Sequence, residues 1–509
     1  MRVASVKSLA IALAIFCLLT GFTMEARAAS FTQQELAFMP ATVQIELFKR
    51  GVISPVDVVK AQIEQYKKTN QTVNAATFTH FDEALKQAEE SEKRYKDGSY
   101  RALEGITVGI KDEHHDKGWI VTQGSLVHKN DPPMDDADVI VQKLKDAGAI
   151  PLLQTTVPEL YLNYVTDTKA WGTTRNPWNP KYAVGGSSGG SGAALAAGYV
   201  TLATGSDMGG SIRIPSAFNG LYGYKPIFGE IHTEMPFSHF SGSGPMARTF
   251  EDMVLMHNVI AGPGDYSANV IDAGDLPLKF EPIKGMKIAY VGGMGIFEPS
   301  KETQKAIDQA IEVLEAQGAT VDRVKLDIGM TPETLSEQFS NVALAGAMGG
   351  MFTDYADKAD QMTPYANYFV NKASKGGYGN KQLFEAEVNT KKIYKAIVDN
   401  VFAKGYDVMI MPTMPTSHTP ADHDFTKDKV VEDGVEYPML VNGLYTVPFN
   451  LLNWMPVISV PVGLTSQDMP VGMQIVGRTS DPDAPFRVAN AYSRAGIKLY
   501  QGDQMPATR

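Results

Sequence analysis

Two glycine-rich turns, GGSSGGSG at residues 185–192 and SDMGGSIR at residues 206–213, decide how the rest of the chain is arranged. Glycines on either side of a serine allow backbone angles with positive φ, so several N–H groups can converge on one point. Converging N–H groups stabilise a developing oxyanion. The two turns are therefore candidates for a serine nucleophile held against its own oxyanion hole.

The elements around these turns argue against two simpler interpretations. Gly/Ser-rich runs are usually flexible linkers, but AALAA at 193–197 predicts a buried helix and YVTLAT at 199–204 has the composition of a strand. A linker does not alternate with core elements. A phosphate-binding loop would need Gly-Lys-Ser or Gly-Lys-Thr at the start of the helix, and no lysine is present there.

A serine nucleophile needs a base, and neither turn contains the usual histidine. The apolar run GITVGIKD at 105–112 offers Lys111 instead. A lysine on an apolar strand loses hydration, which favours its neutral form, so Lys111 is a candidate base.

Together these motifs resemble the amidase signature family of serine hydrolases. The 24-residue separation of Ser187 and Ser211 agrees with that family. Further similar segments are GTTRNPWN at 172–179, GYKP at 223–226, GPMART at 244–249, PVISVPVG at 456–463 and PVGMQ at 470–474. The resemblance covers most of the chain. It implies an α/β fold of one large domain, with a mixed central β-sheet covered by helices on both faces.

The resemblance also implies roles for individual residues. Ser211 would attack a carboxamide carbonyl, while Ser187, on a cis peptide bond, relays the proton to neutral Lys111. The oxyanion hole would consist of the N–H groups of Met208, Gly209, Gly210 and Ser211. The residues expected to orient the relay are Ser188, Asp207 and Arg213. No metal and no cofactor are expected.

Three segments depart from the family pattern. EHHD at 113–116 follows Lys111 where the family usually has Asn; it lacks further ligands at metal-binding spacing, so we expect it to tune the mouth of the site. Gln154 stands where the family often has lysine, and we expect the chemistry to survive that change. NLLNWMP at 450–456 replaces a glycine-containing segment, which leaves the pocket shape open.

The N-terminus has the pattern of a secretory signal peptide. Arg2 and Lys7 precede an apolar run at 9–22 that is short for a membrane span, and ARA at 26–28 fits a signal-peptidase site. The mature chain is predicted to begin at Ala29 and to be periplasmic or secreted. An uncleaved anchor is the alternative.

Composition excludes several kinds of site and partner. Cys17, the one cysteine, lies in the leader, so the mature chain has no disulfide, cysteine nucleophile or thiolate ligand. The formal charge is −11 and becomes −13 without the leader, because three cations and one anion are removed. A chain this acidic is not expected to bind nucleic acid, or an anionic membrane once the leader is cleaved.

A single domain is expected, because motifs for one site lie far apart in the chain. The predicted parts are a signal peptide at 1–28 and an amidase signature domain at 29–509, divided into an N-terminal helical part at 29–104, a catalytic core at 105–260, a variable substrate-pocket part at 261–440 and a C-terminal return to the core at 441–509. The many Met and aromatic residues at 341–380 indicate either an adaptable pocket wall or a helical core layer.

Apolar spacing and capping residues predict the main elements. Helices are expected over 33–51, from Ser54-Pro55 onwards, and over 81–95, 138–147 and 302–317. Strands are expected over 149–156, 286–291 and 407–413.

The resulting hypothesis is a secreted amidase that forms an acyl-enzyme on Ser211 and gives a carboxylic acid and ammonia or an amine. Its partner would be a small-molecule amide; the exact substrate and the oligomeric state, including a homodimer, stay open. A carbamate or ester hydrolase with the same triad and a non-catalytic exported binding protein are the alternatives. A tRNA-dependent amidotransferase subunit is also similar in sequence, but export would separate it from tRNA and from its partner subunits.

Overall fold

The computed structural model describes residues 31–233, 239–263, 270–271, 274–296, 298–343, 352, 354–375, 379–437 and 445–508. The proposed signal peptide therefore lies outside the described residues. No helix in the described ranges is long and apolar enough to cross a membrane.

An eleven-stranded mixed β-sheet forms the centre of the molecule, as the resemblance implies. The strands in chain order are β1 Ala76–Thr79, β2 Thr107–Lys111, β3 Ile150–Thr155, β4 Asp167–Thr168, β5 Gly172–Thr173, β6 Leu202–Asp207, β7 Tyr222–Lys225, β8 Gly242–Ala247, β9 Lys287–Tyr290, β10 Thr320–Arg323, β11 Val408–Pro412, β12 Val430–Glu432, β13 Val435–Tyr437, β14 Val457–Leu464 and β15 Pro470–Val476. Strands β4 and β5 pair with each other, as do β12 and β13.

The central sheet has the order β1-β3-β2-β6-β8-β7-β14-β15-β11-β9-β10. Strand β2 is parallel to β3 and β6, and β9 is parallel to β10 and β11, whereas the pairs between β6 and β11 through β8, β7, β14 and β15 are antiparallel. Because β2 and β6 are parallel neighbours, they end at the same edge of the sheet. This edge receives Lys111 at the end of β2 and the second serine turn at the end of β6.

Helices cover both faces of this sheet. Their bounds are α1 Gln33–Phe38, α2 Ala41–Lys49, α3 Pro55–Val73, α4 Phe81–Asp97, α5 Val139–Asp146, α6 Gly189–Ala196, α7 Arg213–Asn219, α8 Phe250–Ile260, α9 Lys301–Ala316, α10 Pro332–Val342, α11 Pro364–Ser374, α12 Asn380–Asn400, α13 Pro448–Leu451 and α14 Asp483–Ala495. Helix α6 is buried along its whole length, which explains its unusual content of glycine and alanine.

Capping residues explain where several helices begin. Ser54 forms a capping box with Asp57 at the start of α3, with Pro55 in the first turn, as predicted. Asp138 caps α5 through the N–H of Ile140 at 2.7 Å. The single helix predicted over 33–51 is wrong: it is two helices, because Pro40 lacks an N–H donor and takes an extended conformation between them.

The Met/aromatic segment contributes to a small separate core. Phe352, Tyr355, Met362 and Tyr365 are buried there together with Leu160. Met208 of the second serine turn packs against this cluster. The segment is therefore core in these positions and also reaches the serine turn; Met348 and Met351 lie outside the described residues.

Candidate active site

Lys111 lies at the centre of the site and is fully buried. Its N–H donates to Thr204 Oγ1 at 2.9 Å, which joins the ends of β2 and β6. Its Nζ lies 2.9 Å from Ser187 Oγ and 2.7 Å from Ser206 Oγ. The structure therefore brings together the predicted base and the predicted relay serine, which are 76 residues apart in the chain.

The first serine turn holds Ser187 and Ser188 at the start of α6. The peptide bond between Gly186 and Ser187 is cis. The Ser188 N–H donates to the carbonyl oxygen of Ser211 at 3.2 Å, and Ser188 Oγ accepts from the N–H of Ser206 at 3.3 Å. Ser188 thus connects the two serine turns through its backbone and its side chain.

Asp207 organises the second serine turn. Its Oδ1 accepts the N–H of Gly210 at 2.8 Å, and its Oδ2 accepts the N–H groups of Ile212 and Arg213 at 3.2 and 3.3 Å. Asp207 and Arg213 form an ion pair at 2.9 Å in which both side chains are fully buried. Burial alone raises the pKa of Asp207, but the charge and hydrogen bonds of Arg213 outweigh burial and hold this pKa well below its usual range.

The N–H groups of the second turn differ in their availability. The Gly210 amide, one of the four predicted oxyanion donors, donates to Asp207 Oδ1 at 2.8 Å. The N–H groups of Met208, Gly209 and Ser211 have no acceptor in the described ranges. These three amides are therefore open to an acceptor from a bound ligand.

Gly210 shapes the turn through its backbone conformation. Its φ is +118°, a region that L-residues rarely adopt. A Cβ at this position would lie 2.7 Å from Cβ of Thr446, whose hydroxyl donates to the Gly209 carbonyl at 2.6 Å. The close approach of Thr446 therefore requires glycine at position 210.

Two site residues that the sequence analysis did not single out come from the C-terminal part. Asn450 Nδ2 donates to the carbonyl and the carboxylate of Asp207, both at 2.9 Å, and Asn450 Oδ1 accepts from Arg213 at 2.7 Å. Gln474 Oε1 accepts from the other arm of Arg213 at 2.7 Å. Both lie in segments noted above, 450–456 and 470–474. The signal that could have found them is a single polar residue among apolar neighbours.

The divergent 450–456 segment also binds a buried lysine. Asn453 Oδ1 accepts from Lys225 Nζ at 2.7 Å, and the Asn453 carbonyl accepts from the N–H of Phe228. Burial, assisted by the charge of Arg213, lowers the pKa of Lys225 to about 7. The segment thus has a structural role next to the Asp207–Arg213 pair.

Glu113 is the second carboxylate of the site. Its Oε2 lies 2.7 Å from Lys111 Nζ and accepts from Ser206 Oγ at 2.6 Å. Burial raises the pKa of Glu113, but the charges of Lys111 and His114 outweigh burial and hold it below its usual range. The side chain is 31 % exposed, so it joins the buried lysine to the solvent side of the site.

The other residues of the 113–116 segment have separate partners. His114 contacts Thr204 Oγ1 at 3.0 Å, and Asp116 pairs with Lys145 at 2.6 Å. The segment is therefore not arranged around one metal position. Gln154 donates to the Ile120 carbonyl at 3.0 Å.

One group of side chains elsewhere in the described ranges has metal-ligand atoms within 4.8 Å of one another: Glu302, His418 and Glu432. His418 Nε2 already contacts Thr465 Oγ1 at 2.9 Å, and its Nδ1 lies 3.4 Å from Glu432. These residues come from α9, β12 and the loop after β11, not from the elements that carry Lys111 and the serines.

Known proteins are similar to this chain over most of its length. A family model described as Amidase matches residues 57–483. The chain is 34% identical to a glutamyl-tRNA(Gln) amidotransferase subunit of Exiguobacterium sibiricum, over 88% of this chain and 95% of that protein. It is 31% identical to the corresponding subunit of Bacillus cytotoxicus, over 87% of this chain and 94% of that protein.

Solved structures show the same fold. A bacterial aryl acylamidase of the amidase signature family aligns with a TM-score of 0.78 at 25% identity, over 90% of this chain and 96% of that one. A 6-aminohexanoate cyclic dimer hydrolase complexed with substrate aligns with a TM-score of 0.78 at 25% identity, over 93% of this chain and 99% of that one.

Proposed function

Because the chain belongs to the amidase signature family, we propose that it is an exported amidase whose nucleophile is Ser211. The observation that carries the proposal is the buried contact of 2.9 Å between Lys111 Nζ and Ser187 Oγ, in a turn bonded directly to Ser211. A lysine beside a serine hydroxyl supplies the base that a serine nucleophile needs.

In the proposed reaction Ser211 Oγ attacks the carbonyl carbon, and its proton passes through Ser187 to neutral Lys111. The C–N bond then breaks while the relay returns the proton to nitrogen, because an unprotonated amine anion is a very poor leaving group. Water hydrolyses the acyl-enzyme in the same way. The free N–H groups of Met208, Gly209 and Ser211 stabilise the oxyanion, and one such donor contributes on the order of 3 kcal/mol.

The surroundings of the second turn support an apolar or aromatic group on the amide. Met208 packs against the core of Phe352 and Tyr355, and a Cβ on Gly209 would lie 3.4 Å from a ring carbon of Phe339. Two similar structures are those of an aryl acylamidase and of a 6-aminohexanoate cyclic dimer hydrolase. We therefore propose linear or aryl amides as the first substrates to test.

Hydrolysis of amides by the purified chain tests this proposal. Anilides, primary carboxamides, carbamates and activated esters are compared, with Ser211→Ala as the inactive variant and Ser466→Ala, an exposed serine, as the matched control. Amide turnover that is lost only in Ser211→Ala supports the proposal. Turnover of esters or carbamates without amides favours the second candidate, and a folded protein with no turnover favours an exported binding protein.

A tRNA-dependent amidotransferase subunit is a further candidate, because the two relatives named above carry that name. The formal charge of −11 disfavours direct contact with tRNA. Fractionation of cells that express the full chain separates the two proposals. A periplasmic or secreted protein beginning at Ala29 supports export, and a cytoplasmic protein that retains Met1 contradicts it.

A further inference from the structure

Nζ of Lys111 is surrounded by three oxygen atoms. They are Ser187 Oγ at 2.9 Å, Ser206 Oγ at 2.7 Å and Glu113 Oε2 at 2.7 Å. An ammonium has three N–H donors and can donate to all three oxygens. A neutral amine has two N–H donors and a lone pair, so it would keep all three contacts by accepting the Ser187 hydroxyl hydrogen. The carboxylate of Glu113 at 2.7 Å favours the charged form over the neutral one.

Ser206 fixes the position of the carboxylate. Its hydroxyl accepts from Lys111 and donates to Glu113 Oε2 at 2.6 Å. The three side chains therefore form a closed set of hydrogen bonds in which each donor has one acceptor. Charge-assisted hydrogen bonds of this kind are stronger than neutral ones, so the set favours the ion pair over a neutral lysine.

The other groups around Lys111 leave Glu113 as the direct anionic partner. His114 follows on the same segment and contacts Thr204 and Ser243, and the Tyr161 ring centroid lies 5.1 Å from Nζ. The carboxylate of Asp112 accepts hydrogen bonds from the N–H groups of Thr122 and Gly124, and burial raises its pKa to about 7. Asp207 is neutralised by Arg213 in its own buried pair.

We propose that Glu113 is a positioning residue that holds Lys111 as an ammonium in the free enzyme and serves as the exit for its proton. Before each acylation, Nζ passes one proton to Glu113 Oε2, and the partly exposed carboxyl releases that proton to water. This leaves a neutral amine and a carboxylate, and the amine then accepts the proton of Ser211 through Ser187. The inference rests on the amidase function proposed above.

Removal of the carboxylate charge therefore has a definite sign. A carboxylate within hydrogen-bond distance favours the charged lysine, so its loss makes the neutral base available at lower pH. In Glu113→Gln, the acid limb of kcat/KM for an amide is expected to move by about 1–3 pH units toward lower pH. A merely structural role would lower the rate at every pH without moving the limb.

The experiment compares pH profiles of wild type, Glu113→Gln and Asp136→Asn. Asp136 is the matched control, since it is 83 % exposed, lies on the same loop and faces His115 rather than Lys111. An acid shift in Glu113→Gln alone supports the inference. An unchanged limb, or a limb that moves to higher pH, overturns it.

A second measurement is independent of turnover and of whether Glu113→Gln folds. NMR titration of wild type carrying labelled lysine, with Lys111→Ala to assign the signal, reports the charge of Lys111 directly. An ammonium signal at neutral pH in the free enzyme supports the inference, and a neutral amine overturns it. If the ammonium is present but no amide is hydrolysed, the proposed function fails and the ion pair stands.

Discussion

Substitution of Asp207 by asparagine leaves a buried cation without its counter-ion. Asp207 binds Arg213 through two hydrogen bonds of 2.9 Å, and neither side chain is exposed. Asparagine has nearly the same shape as aspartate but no charge, and its amide nitrogen cannot accept the N–H groups that the carboxylate now accepts. The change therefore tests the charge of Asp207 rather than its volume.

The expected cost follows from this burial. Removing one partner of a buried ion pair destabilises a protein by about 3–5 kcal/mol, because the remaining charge is neither hydrated nor paired. Urea unfolding of Asp207→Asn should show this loss. The matched control is Asp308→Asn, since Asp308 and Arg323 form an exposed pair, with side chains 43 % and 59 % exposed. An exposed pair is worth at most about 1 kcal/mol.

The pH dependence gives a second check on the same residue. The folded pKa of Asp207 lies below its usual range, so the ion pair contributes its full stability above the unfolded pKa of about 3.9. That contribution is lost as the pH falls from there toward the folded pKa. Wild type should lose stability in this window more steeply than Asp207→Asn. A variant as stable as Asp308→Asn, with an unchanged acid slope, would refute the reasoning.

Three further outcomes follow from the site. Lys111→Ala should reduce acylation by amides far more than by activated esters, whose leaving groups need little protonation; equal losses in stopped-flow acylation would contradict the relay. Gly210→Ala should lower kcat/KM by about a hundredfold. The added Cβ would meet Thr446 and displace the neighbouring Gly209 and Ser211 amides, and loss of one oxyanion donor costs on the order of 3 kcal/mol. Wild-type kinetics would show that the turn tolerates a side chain. Ser187→Ala should abolish amide turnover. Ser188→Ala should keep most activity and lower the free energy of unfolding in urea by about 1 kcal/mol. Loss of turnover in Ser188→Ala but not in Ser187→Ala would exchange their roles.

The site residues at this sheet edge can be predicted from the sequence, because residues of their type are unusual at such positions. A lysine at the end of an apolar strand and serines between glycines have few structural explanations. Lys111 lies at the predicted strand end, fully buried, and its contact with Ser206 follows from two parallel strands that end together. The α/β class and the central mixed sheet, which the resemblance predicts, are confirmed.

The partners of these residues are harder to predict, because they depend on distant backbone. The sequence indicates only that Glu113 tunes the mouth of the site, whereas the residue contacts Lys111 directly. Asn450 lies 243 residues along the chain from the carboxylate it binds, and no local sequence pattern predicts that contact. The helix break at Pro40 is different, because a local rule predicts it. The apolar periodicity continues across Pro40, but the proline ends the first helix.

The engagement of Gly210 shows a further limit of sequence reasoning. Every amide of a glycine-rich turn is a possible oxyanion donor until the acceptors inside the turn are known. Asp207 Oδ1 accepts from the Gly210 amide at 2.8 Å, so the carboxylate that shapes the turn also competes for one of its donors.

Labelling of the chain with a fluorophosphonate tests the central claim most directly, because this reagent forms a covalent adduct only with an activated serine. Wild type and Ser211→Ala are treated side by side, and the adduct is located by mass spectrometry. The account predicts one adduct on Ser211 that disappears in the variant. An adduct on another serine, or no adduct in a protein shown to be folded, would contradict it.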